Sequence, residues 1–199
     1  MLKGSFTDEM CALERFTTAR KWEIERKKEF TISAKAYAQS LHQSLVQRYG
    51  NVTTSQLSCI LKVNIVSQTD SEASRQYVHF ADYDPKLQTI LVNEVFVERV
   101  VQCIARYSLI PLVSMPTSFR DVVIAHELFH FLENPDRQWA KRYLPSWCKR
   151  NHVTGRVGFV QQTMASEVAA MHFSKLQTKI TFSPCVFEQL LVQLISNGV

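Results

Sequence analysis

The sequence predicts an α+β fold, with a small antiparallel or mixed sheet packed on one apolar helix, a helical N-terminal segment and further C-terminal helices. Three observations carry this. Residues 7 to 49 contain no Pro or Gly and are rich in helix formers. Between 60 and 93 lie three short runs of β-branched and aromatic residues separated by turn residues. Val122-Val123-Ile124-Ala125 and Phe131-Leu132 then flank His126-Glu127-Leu128-Phe129-His130 in a stretch long enough for a buried helix. A helical segment over 1–50 and a main domain over 51–199 are expected to form one compact unit.

In the first segment Thr7 is an N-cap candidate. The mixed charges from Arg20 to Lys28 suit a solvated helix face. A second helix is expected from 33 to 49, stopped by Gly50. Strands are expected at 60–66, 77–83 and 87–93. Asp84-Pro85-Lys86 makes the turn between the last two, which must therefore be antiparallel. A helix follows from 94 to about 107. Thr117 or Ser118 caps the helix of the two histidines, which ends near Asn134-Pro135. Residues 136 to 157 read as irregular, 158 to 177 as a helix, and Ser183-Pro184 as the start of a last helix.

Composition narrows the function. The chain has 199 residues, 46% of them hydrophobic, enough for a true core. The formal charge of +5 is spread out, and no basic face or nucleic-acid motif stands out, so no nucleic-acid partner is expected. No apolar run approaches the ~18 to 20 residues of a membrane helix, and the N-terminus lacks a signal-peptide core. Five widely spaced cysteines without a C-x-x-C read as structural thiols in a reducing cytosol. A cytoplasmic location is the resulting expectation.

The chemistry lies in H-E-x-x-H. Residues four apart share a helix face, so His126 and His130 can reach one ion. Glu127 projects about 100° away and can act on a water at that ion as general base. This is zinc peptidase spacing, and catalytic Zn2+ takes three protein ligands. Glu167, 37 positions after His130, is the leading third ligand. Its neighbours Ala165, Ser166, Ala169 and Ala170 let a second helix come close, and a carboxylate among apolar residues is costly unless paired or metal-bound. Asp136, six after His130, is the runner-up. His152 and His172 are further candidates, while His42 and His79 have no motif around them. Glu133, one turn past His130, is placed to touch the site from outside the ligand set. Tyr143, His152 and Arg156 fall between the ligand segments and are candidate oxyanion donors by position alone.

With Glu167-x-x-Ala170-x-x-Phe173, the motif makes the chain resemble gluzincin-type zinc metallopeptidases. It is similar in particular to the compact ImmA/IrrE-like enzymes of bacteria and their phages, over about residues 87 to 177. The resemblance implies a zincin-like fold, zinc on His126, His130 and Glu167, Glu127 as base, and a peptide or protein substrate. It also implies that substrate lies as an extended strand along a sheet edge, at 77–83 or 87–93. Met171 stands where thermolysin-like relatives carry an Asp that orients the first histidine. The expected function is a zinc-dependent peptidase. The alternative is a zincin-fold regulatory or binding protein that cleaves little. The oligomeric state is left open, as is whether the N-terminal segment covers the cleft.

Overall fold

The computed structural model describes residues 9–69, 80–107, 118–136, 138–144 and 155–187. A 3-10 helix at Glu9–Arg15 leads into α1 (Thr17–Arg20) and the long α2 (Ile24–Tyr49). Then come α3 (Thr54–Leu61), β1 (Asn64–Gln68), β2 (Ala81–Asp84), β3 (Thr89–Asn93) and α4 (Glu94–Tyr107). The motif helix is α5 (Phe119–Glu133), running into a 3-10 turn at Asn134–Asp136. Last come α6 (Trp139–Tyr143) and α7 (Gly155–Thr178). Among the described residues, no helix is long and apolar enough to cross a membrane.

Several boundaries differ from the sequence expectation. Helix α2 starts at Ile24, nine residues before the expected start, because its charged first turns lie on the surface while Phe30, Ala34 and Ala38 are fully buried. It ends where expected, at Gly50 with φ 76°, a conformation that costs glycine little. The expected strand at 60–66 is displaced to Asn64–Gln68, and its first two residues close α3. A capping box starts that helix. Thr53 accepts from the Gln56 backbone N–H at 3.2 Å, and the Gln56 side chain accepts from the Thr53 N–H at 2.8 Å. Lys62, at φ 56°, ends it. Within the stretch read as irregular, α6 forms around the fully buried Trp139. The calls for Thr7, the turn residues 70–72, residues 77–79 of the 77–83 strand and the last helix beyond Phe187 lie outside the described residues, while 81–83 of that strand fall in β2.

The sheet is mixed, in the order β1-β3-β2. β2 and β3 are antiparallel, as their short turn requires, with Tyr83 opposite Ile90, while β1 runs parallel to β3. Asp84 Oδ1 builds the turn by accepting from the N–H groups of Lys86 at 2.8 Å and Leu87 at 3.2 Å. β3 is the central strand, so 87–93 cannot offer the free edge; of the two candidates only β2 is an edge among the described residues.

Helix α5 starts at Ser118, whose Oγ accepts from the Asp121 N–H at 3.1 Å. It lies against β2 and β3 and packs on α7, which also packs on α2. The α7 residues at this crossing are small: Ala165, Ala169 and Ala170 are fully buried. Phe129 and Phe173 meet in the same core with ring centroids 5.8 Å apart, each burial worth about 1.5–3 kcal/mol. That core continues without a break to Ala12, Leu13 and Phe30.

Two contacts tie the first 3-10 helix down. Cys11 is disulfide-bonded to Cys185, with Cα atoms 6.3 Å apart across 174 residues of sequence. This corrects the expectation of free thiols for that pair; the fold joins two cysteines whose spacing gave no sign of partnership. Cys59 and Cys103 are free, and Cys148 lies outside the described residues. Glu9 is fully buried, with Lys35 Nζ at 2.9 Å, His172 Nδ1 at 3.3 Å and Lys175 Nζ at 3.7 Å. Burial alone would raise its pKa, but the His172 and Lys35 contacts win and lower it to about 2. A carboxyl with a depressed folded pKa contributes stability above its ordinary value, and loses it as pH falls towards the folded value. Glu9→Gln is therefore expected to cost about 3 kcal/mol at neutral pH. In denaturant titrations the gap between parent and variant should shrink from about pH 4.5 to pH 2. A gap that stays constant across that range would contradict this account.

Candidate metal site

The helix geometry delivers what the spacing promised. His126 and His130 lie one turn apart on α5 with their Nε2 atoms 3.2 Å apart. Glu167, from α7, presents Oε2 3.6 Å from His126 Nε2 and Oε1 3.7 Å from His130 Nε2. All three can offer ligand atoms within 4.8 Å of one another. A tetrahedral ion with bonds of about 2.0–2.2 Å would hold neighbouring ligand atoms roughly 3.3–3.6 Å apart. The donor set therefore fits zinc in both chemistry and spacing. The side chains are 15, 20 and 21% exposed, so the group is open to small molecules on one side.

His130 is oriented from behind. Its Nδ1 lies 2.8 Å from Glu133 Oε1 and 3.2 Å from Ser166 Oγ. An Nδ1–H donating to the carboxylate leaves Nε2 with its lone pair towards the shared point. Ser166 Oγ also donates to Glu133 Oε1, and Trp139 Nε1 donates to Oε2 at 2.9 Å. A buried indole N–H needs such a partner. Glu133 thus connects the aromatic core, where Trp139 stacks on Tyr37 at 4.2 Å, to the histidine ring.

Glu127 sits beside the group with Oε1 4.0 Å from His126 Nε2. The β2 edge holds it. Phe80 C=O accepts from Asn93 N–H at 2.8 Å, so the alternate residues Ala81 and Tyr83 turn their backbone groups away from β3. The outward Tyr83 N–H hydrogen-bonds Glu127. Burial pushes the Glu127 carboxyl up to about 8, against the pull of His130. Burial pulls both histidines down. It prevails at His126, at about 3, whereas the Glu133 hydrogen bond and the charges of Glu127 and Glu167 push His130 up to about 9. The Arg15 guanidinium donates to Glu167 and also acts on Glu127.

A cavity of about 570 Å³ opens on the His130 side, lined by His130, Glu167, Ser166, Gln138, Lys141 and Gln162 among others. That volume is in the range of small-molecule sites.

The other candidates lie elsewhere. Asp136 is paired with Arg142 through both carboxylate oxygens. Tyr143 belongs to an aromatic cluster, its ring 5.3 Å from Tyr37, and does not line the cavity. His172 contacts Glu9, and the His42 ring packs on Phe173. His152, His79 and the Arg156 side chain lie outside the described residues. Sequence reasoning missed Arg15, Trp139 and the Tyr83 N–H. Only Trp139 had a signal, six residues past Glu133 beside a helix end. Comparisons with protein-family models, curated proteins and solved structures give no match.

Proposed function

We propose that the protein is a zinc-dependent peptidase with a zincin-like arrangement of sheet edge and motif helix. One observation carries the reading: His126 Nε2, His130 Nε2 and the Glu167 carboxylate converge at zinc ligand spacing, with Glu127 buried alongside them. His126, His130 and Glu167 would hold the ion. Zinc, when bound, supplies a Lewis acid that polarises a carbonyl and makes a bound water more acidic. Glu127, whose ionised form a bound cation would favour, would accept a proton from the attacking water and return it to the leaving amine, held in place by the Tyr83 N–H. Glu133, Ser166 and Trp139 keep His130 aimed at the ion. The outer edge of β2, with the outward backbone groups of Ala81, offers an extended peptide its main-chain hydrogen bonds.

The reading is tested by metal removal. Elemental analysis should find about one zinc per chain, from the one-site ligand count. Chelation should abolish cleavage of a quenched peptide library, and added zinc should restore it. Zinc binding without any cleavage would favour a zincin-fold binding protein instead.

A further inference from the structure

The first 3-10 helix reaches the metal group through one side chain. Arg15 Nη1 donates to Glu167 Oε2 at 3.0 Å. Oε2 is the oxygen that faces His126, whereas Oε1 faces His130. Arg15 thus approaches from the His126 side, while the cavity is lined by His130 and Glu167 but not by His126. Glu167 is held between the two.

The backbone that carries Arg15 is firmly placed. Cys11 joins it to Cys185, Glu9 is locked among Lys35, His172 and Lys175, and Ala12 and Leu13 are fully buried. Glu14 Oε1 accepts from Lys27 Nζ of α2 at 2.5 Å. A seven-residue helix anchored at these points presents its last side chain in a fixed place.

We propose that Arg15 is a positioning residue for the metal ligand Glu167. Its hydrogen bond to Oε2 would fix the orientation in which the Glu167 carboxylate meets a bound ion. This rests on the metal reading above. Without such a partner a carboxylate can meet a cation through one oxygen or both, and its orientation is not fixed. The guanidinium suits the task because its charge is permanent and its donors form a planar fork. A lysine would keep the charge and lose the fork.

The test uses cobalt(II) in place of zinc, because its visible absorption reports coordination number and needs no turnover. The full chain is titrated with cobalt(II) against a competing chelator. Arg15→Gln should bind it about 10–100-fold more weakly, the range for groups that orient metal ligands. Its visible bands should also change as Glu167 loses its fixed orientation. Arg15→Lys should recover part of the affinity with an altered spectrum. A purely structural role would change the denaturation midpoint without changing the spectrum of bound ion. If Arg15→Gln binds cobalt with parental affinity and spectrum, the proposal is overturned and the metal site stands. If the parent takes up no cobalt, the metal reading falls and this one with it.

Discussion

Glu127→Gln is expected to keep its full complement of zinc and to lose hydrolysis by about 10²–10⁴-fold, the range for a positioned general base. Glutamine is the same size and its amide oxygen can still accept from the Tyr83 N–H, so the local fold has no reason to change. What disappears is the group that takes the proton. Glu127 is not in the converging ligand set, so metal content should be indifferent to the change. Metal analysis and single-turnover cleavage, measured on the same preparation, separate the two effects. A variant that cleaves as fast as the parent would remove Glu127 from the mechanism. A variant that loses its zinc would show that Glu127 belongs to the ligand set.

Glu167→Ala should weaken zinc binding by more than about 100-fold, beyond the range seen when an orienting group is lost. The variant retains two histidines on one helix face but no third ligand. Asp136→Ala serves as the comparison. Asp136 is engaged by Arg142, so its loss should leave affinity unchanged. Competition with a chromogenic chelator measures both. Unchanged affinity in Glu167→Ala, or a collapse in Asp136→Ala, would transfer the third ligand to another residue. The Glu167 variant should also fold less stably when zinc is present, because it forgoes the stabilisation that a ligand of the native state confers.

The parts of this site that the sequence revealed are those set by helical periodicity. His126 and His130 share a face by spacing, Ser118 caps their helix with its own hydroxyl, and the small residues around Glu167 announce a close helix crossing. Glu133 was legible for the same reason, being three residues from His130. The misplaced elements had competing local signals. Ile60 and Leu61 look like strand residues, but the capping box at Thr53 and Gln56 draws them into α3. Arg20 to Lys28 looked like a charged surface, which it is in large part, yet α2 begins within it. Arg15 and the Cys11–Cys185 bond had no local signal at all. Each depends on a partner more than 150 residues away, and only the packing of the first helix against α7 and the segment that follows it brings them together.

The contact between Arg15 and Glu167 also has a meaning in time. The two residues are separated by 152 positions in the chain. At roughly 5–20 residues per second, the ribosome takes about 8 to 30 s to make the distance between them. Throughout that interval H-E-x-x-H is either unmade or lacks its carboxylate partner. A growing chain of this protein therefore carries at most the proposed ligands His126 and His130 and the proposed base Glu127, without Glu167. If the proposed activity holds, the nascent chain is unarmed until its last helices emerge.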